Sequence, residues 1–468
     1  MNRKRSYNTK NIIIECLPYL FFAWYLPMSV YYFKARITYG DTGFYLFKMI
    51  QKEGFNIESN RAVSIISQWI PVLLIKLSAP LNVVMIGYSL NFALIYFAAY
   101  LIIKYLFKSH FLALAALLSS HLFLHYGYYY PTEMIFSTCY IVLIAAFFTY
   151  NLNKKTHYYS IATTYGIGIL LLIGISFIHP FYYIVIGAVL LCLYLLDQNK
   201  IYLHFVLVSA VLFVLKIIFF KSGYEAGKLS GIDLKVLTWK SVDQSYLTRF
   251  WRESFSNHFY IAKFFFYTFI IYLFYKRKWL LAIALPSGYF VLYLFVYMSI
   301  PNGESLGYME CYLAAISVFP LIIFLYYAEK YLQNYKNAIT IFVFVVSLLG
   351  LYRIKSEKMY KNRVKYLEAI LSYGREHNMA KIFINTSDMK HEKIMVGWAL
   401  PYETLLLSTI NGKTQTIYEN LNYKLEDINK KQVFLGAHWE KPMYDLKLNQ
   451  KYFELDSSLY QPLNGMDF

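Results

Sequence analysis

Cysteine is too scarce and too deeply set to staple this chain: only Cys16, Cys139, Cys192 and Cys311 occur in 468 residues, each within an apolar run. Neither a disulfide framework nor a structural zinc site is supported by that pattern. Charge is thin as well, at 15% of residues, and acid is the rarer sign, with 27 Asp and Glu against 45 Lys and Arg. With 58% hydrophobic and 20% aromatic residues, the chain has too little polar surface for a soluble protein and is read as a polytopic membrane protein.

What is present is long apolar sequence punctuated by basic turns. Eleven runs, from Ile12–Phe33 to Ala338–Tyr352, approach the roughly 20 residues that a helix needs to cross a bilayer. The first is longer than a signal-peptide core and lacks a small-residue cleavage pattern, so it is read as a retained anchor. Much of the net charge of +18 lies in short turns: Lys104 and Lys108, Lys154 and Lys155, Lys276-Arg277-Lys278, Lys330 and Lys336. Such turns mark the cytoplasmic side of an anionic leaflet, so the basic surplus points to membrane lipid and not to nucleic acid.

That orientation places the N-terminus inside and a polar tail outside, dividing the chain into a membrane domain, 1–352, and an extracytoplasmic domain, 353–468. The tail reads as small and α/β, with a helix over Lys358–His377, strands at Lys381–Ile384 and Gln432–Leu435, and a buried helix over Met395–Leu407. It carries no nucleotide loop or nucleophile elbow. Thr42–Lys52 and Ala62–Leu77, between the first two spans, read as interfacial helices on the outer surface. The alternative, that Ala62–Leu77 crosses the membrane, inverts every later span.

Two carboxylates stand out in the outer loops. Asp41, in Gly40-Asp41-Thr42-Gly43, suits a catalytic carboxylate acting on a hydroxyl and equally suits a helix cap. Glu133, after Pro131, has the same two faces, since acid complements the start of a helix. Arg61, Lys216, Arg249 and Arg252, with Lys221 and Lys228, are the cations expected on that side, where they clamp a phosphate or simply face headgroups. In Tyr246-Leu247-Thr248-Arg249-Phe250-Trp251-Arg252 the two arginines are three apart, as on one helical face, among interface-seeking aromatics.

His121 and His125, four apart in the third run, invite a metal or relay role against plain hydrogen bonding in the bundle. His179, before Pro180, is the better site candidate. Glu304 and Glu310 complete the substrate-binding candidates.

The layout resembles the GT-C superfamily of integral membrane glycosyltransferases, as in the protein mannosyltransferase and lipid A aminoarabinose transferase arrangement. The first-loop acidic motif corresponds to Gly40-Asp41-Thr42, and the next-loop acid to Pro131-Thr132-Glu133. The late Arg-Tyr-Leu and Pro pattern corresponds to Cys311-Tyr312-Leu313 and Pro320, with Cys311 where arginine is usual. Thr42 stands where many relatives have a second acid.

The resemblance implies a bundle of about eleven spans in a bacterial cytoplasmic membrane. It implies a polyprenyl-phosphate-linked sugar donor and inverting transfer to a glycan, lipid or protein acceptor, with no certain cofactor and a divalent metal left open. Asp41 would orient or deprotonate the acceptor hydroxyl, and Glu133 would steady the acceptor or the developing positive charge. Alternatives are a lipid-linked glycan transporter or assembly protein, and an O-antigen polymerase or ligase.

Overall fold

A computed structural model describes residues 9–152, 158–230, 238–300, 303, 305–385, 394–395, 397–419, 424–429, 434, 436 and 448–463. The fold is mainly helical, with eight helices among the described residues long and apolar enough to cross a membrane. Helix α1 (Thr9–Tyr31) leads through α2 (Phe33–Ile37) to α3 (Asp41–Lys52) and α4 (Ser64–Lys76). Then come α5 (Leu81–Leu101), α6 (His110–Ser119), α7 (Glu133–Leu152), α8 (Tyr158–Ser176), α9 (Phe181–Asp197) and α10 (Ile201–Phe219). Short helices α11 (Gly223–Ser230), α12 (Trp239–Gln244) and α13 (Tyr246–Phe250) precede the long α14 (Ser256–Tyr275), α15 (Trp279–Ser299), α16 (Leu306–Tyr331) and α17 (Lys336–Ser356).

Burial follows composition. Helix α16 is apolar all round and buried along most of its length, packed against α6, α7, α9 and α15. Helices α10, α14 and α15 instead expose Val211, Ile218, Ile271, Leu280 and Ile283. Apolar side chains on the outside of an apolar helix are what a lipid solvent favours, and water would not.

Contacts between termini sort the helix ends into two sets. At one end Lys336 pairs with Glu15, Lys330 with Asp197, and Ser109 bonds to Glu329. These belong to the basic turns. At the other, Tyr39 packs on Tyr130 and Tyr360, Tyr130 on Tyr308, and the Val63 N–H bonds to the Phe177 carbonyl. Here lie the loops bearing Asp41 and Glu133.

Several expected elements differ. The third run, expected over Phe111–Tyr128, is helical only to Ser119, about 15 Å at 1.5 Å per residue. Turns and a 3₁₀ segment at Gly127–Tyr129 follow. His121 and His125 therefore share no helical face: His121 touches Phe21, while His125 stacks on His258 at 4.3 Å. The Ala62–Leu77 run is a 13-residue helix, α4, about 20 Å long and too short for a bilayer core of about 30 Å. It packs against α5, with Ile66, Trp69 and Leu73 exposed.

The tail holds α18 (Met359–Glu376), β1 (Lys381–Ile384), α19 (Leu400–Ile410), β2 (Thr416–Glu419), α20 (Leu425–Asn429) and β3 (Gln461–Pro462). Its three strands run parallel in the order β2-β1-β3. The helix expected from Met395 begins at Leu400, because Met395 sits in the left-handed region at φ 65°. Of the strand expected at Gln432–Leu435, only Phe434 falls among the described residues.

The tail packs on α3. Phe47 touches Tyr402, Phe434 and Phe453, and Phe44 touches Trp398 and Tyr402. Leu46, Phe47, Met49 and Ile50 are fully buried, each worth about 1.5–3 kcal/mol of transfer free energy. This apolar face explains why α3 lies under the tail.

Candidate functional site

Asp41 is the first residue of α3, and Gly40 before it takes the cap position at φ 53°, ψ −130°. The capping alternative for Asp41 is thereby displaced, although its charge still suits the first turn. A β-carbon at Gly40 would lie 2.9 Å from the Tyr130 ring, so this left-handed turn admits only glycine without a shift. The Tyr130 hydroxyl donates to Asp41 Oδ2 at 2.6 Å. Burial, with the Asp41 carboxylate next to it, pushes the Tyr130 phenol well above its ordinary pKa, so it remains a donor.

Glu133 opens α7 and is buried against Arg61 in an ion pair. Arg61 lies 5.5 Å over the Tyr224 ring, and its Nε and Nη2 are buried with no hydrogen-bond partner among the described residues. An arginine that gives one nitrogen to a carboxylate and keeps the other two unmatched is suited to a second anion. Tyr45, one turn into α3, is within electrostatic reach of Asp41, Glu133 and Arg61 together. Burial first, then Glu133 and Asp41, raise its pKa well above the usual phenol value.

His179 joins α8 to α9 and stands edge-on to Tyr312 at 6.3 Å. Its Nδ1 accepts from the Phe181 N–H at 3.3 Å. Burial drives its pKa well below the ordinary value, and Arg61 and Lys216 add to the shift, so the ring is neutral. Lys216 on α10 is buried, 3.3 Å from Glu225 and 2.9 Å from the Phe220 carbonyl. A cavity of about 60 Å³ touches His179, Tyr224, Glu225 and Tyr312. Asp41, Glu133, Arg61, His179 and Lys216 thus form one chain of neighbours at the loop end.

The other sequence candidates lie elsewhere. Glu310, fully buried on α16, accepts the backbone N–H of His125 at 2.7 Å and of Gly127 at 2.8 Å, so one of its oxygens holds the Tyr128–Tyr130 loop. Cys311 bonds to the Gly307 carbonyl inside the same helix. Glu304 lies outside the described residues, as does the side chain of Lys228. Arg249 is exposed on α13, whereas Arg252 falls in the following π-helical turn, Trp251–Phe255, and pairs with Asp243. Arg252 lines a cavity among the described residues, and Arg249 does not.

That cavity, about 450 Å³, is bounded mainly by apolar residues of α14, α15, α16 and α17. Its polar edge has Arg252, Asp243, Thr248 and Lys263, whose Nζ sits 3.0 Å above the Trp251 ring. Neither Asp41 nor Glu133 lines it. Among the described residues no three His, Cys, Asp or Glu side chains gather as a metal site.

Sequence reasoning missed Tyr130, Glu225 and the tail pair Arg363 and Glu403. The run Tyr128-Tyr129-Tyr130 before Pro131 was a visible signal for the first. Nothing local marks the others, whose partners lie far along the chain or across a turn. No protein-family model, curated protein or solved structure matches this chain.

Proposed function

We propose that the protein is an integral membrane glycosyltransferase of GT-C-like layout, with about eleven crossings when α8, α9 and the path that α6 begins and the buried turns to Tyr130 complete are added to the eight long apolar helices. It uses a polyprenyl-phosphate-linked sugar on the extracytoplasmic face of a bacterial cytoplasmic membrane. The observation that carries this is Arg61, a buried guanidinium with two nitrogens that have no hydrogen-bond partner among the described residues, neighbouring Glu133, Asp41 and the neutral His179.

Asp41 accepts the proton of an acceptor hydroxyl as the hydroxyl oxygen bonds to the anomeric carbon. The bond from that carbon to the phosphate oxygen breaks, and the electron pair leaves with the polyprenyl phosphate. Arg61 and Lys216 offset the charge on the leaving phosphate, and Tyr130 keeps Asp41 in place. Glu133 holds Arg61 and does not meet substrate.

The test is sugar release from radiolabelled farnesyl-phosphate hexoses and pentoses, with water or simple glycosides as acceptor. Asp41→Asn should lower turnover by about 10² to 10⁴-fold while leaving unfolding unchanged. Full turnover in that variant, or a parent protein inert towards every donor, removes the reading.

The 450 Å³ apolar cavity favours a second reading, a lipid-linked glycan transporter or assembly protein, because it suits a lipid chain and lacks the carboxylates. Undecaprenyl phosphate binding without any sugar release would support that one instead.

A further inference from the structure

One buried contact ties the tail to the turn that carries Asp41. On α18, Arg363 donates from Nη1 to the Thr38 carbonyl and from Nε to the Ile394 carbonyl, both at 2.7 Å. Its Nη2 donates to Glu403 Oε2, on α19. The other oxygen of Glu403 accepts the backbone N–H of Gly40. The tail thus grips the first loop on both sides of Tyr39, two residues before the candidate base. The pair is 1% and 0% exposed, and a β-carbon at Gly43 would come 3.0 Å from Glu403 Cγ, so the fit is close.

A buried ion pair is weak evidence for stability, since apolar residues of similar volume often serve as well. What leucine could not replace is the directed acceptor for one amide, at a glycine whose left-handed turn aims the next residue. We propose that Glu403, held by Arg363, is a positioning residue for Asp41, and that the tail thereby sets the geometry of the first-loop site. The consequence for turnover rests on the proposed role of Asp41; the consequence for the turn does not.

Changing either partner alone would strand a buried charge, so the pair is replaced jointly. Arg363→Met with Glu403→Gln removes both charges and keeps a carbonyl for the Gly40 N–H. Arg363→Met with Glu403→Leu removes the acceptor as well. Two quantities are read on the full-length protein: amide hydrogen exchange over residues 39–46, and kcat and KM on the farnesyl-phosphate donors.

The leucine pair should exchange faster over that stretch and lose kcat by about 10²-fold at constant KM, as a misplacement near 1 Å does. The glutamine pair, which loses the Arg363 bonds but keeps the acceptor for Gly40, should stay within a few-fold of the parental kcat and exchange more slowly than the leucine pair. Unchanged exchange in the leucine pair overturns the proposal, and so does parental kcat where Asp41→Asn is inactive. An Asp41→Asn variant as active as the parent would defeat the transferase reading and leave exchange to decide whether Glu403 fixes the turn. Should the leucine pair fail to fold, Glu403→Asp keeps the charges, draws the acceptor back from Gly40 and is judged by the same two readouts.

Discussion

At the scale of single residues the loop end is a place where charge has been taken out of water and mostly matched. Glu133 answers Arg61, Glu225 answers Lys216, and Glu403 answers Arg363. His179 is the exception, since it stays neutral between two cations and gains nothing by protonation. Its folded pKa lies below its unfolded value of about 6.5. Below that pH the unfolded chain binds a proton that the folded chain refuses, so stability falls as pH falls. The loss from this group grows as the pH falls further below the unfolded value. His179→Gln should therefore lose less stability than the parent between pH 7.5 and 5.5, measured by unfolding in detergent. Equal losses would show that His179 is protonated in the folded protein.

At the scale of elements, legibility followed length and periodicity. Helices α1, α3, α17 and α18 lie close to their sequence expectations because α1 and α17 are continuous apolar runs and α3 and α18 unbroken amphipathic ones. The third run failed because apolar composition alone does not say where a helix stops. Ser109 caps α6 visibly, accepting from the Leu112 N–H, but what holds the chain beyond Ser119 is a partner more than 180 residues away. That partner is Glu310, which captures the N–H groups of His125 and Gly127 and so stabilises a non-helical path to Tyr130.

Glu310→Ala leaves two amides without that acceptor, at about 1–3 kcal/mol for each buried group. Expected outcomes are a lower unfolding midpoint and faster exchange over residues 125–130, with Glu310→Gln milder in both because it retains a carbonyl. Parental exchange in the alanine variant would mean that other contacts hold the loop.

At the scale of the whole molecule, the described basic turns gather at one end of the bundle, while Asp41, Glu133 and the tail gather at the other; Lys154 and Lys155 lie outside the described residues. Hydropathy and turn charge were enough to anticipate that division, because lipid permits few arrangements of an apolar helix. The tail's seat on α3 was not legible, since Phe47 and Tyr402 are far apart in sequence and each reads locally as an ordinary core residue. Charge alone now sets which end faces the cytoplasm, and labelling can measure it. In a protein with its native cysteines replaced, single cysteines at Lys278 and Glu53 should react with an impermeant maleimide from opposite sides of sealed vesicles. The position at Asn411, on the tail, should follow Glu53, because Asn449 joins the tail to Glu53 and to Ile50 on α3. Reaction of Lys278 and Glu53 positions from the same side would break the division of the bundle into two ends. Opposite sides with Lys278 outside would keep the fold, invert the positive-inside assignment and place the Asp41 group in the cytoplasm, away from an extracytoplasmic donor.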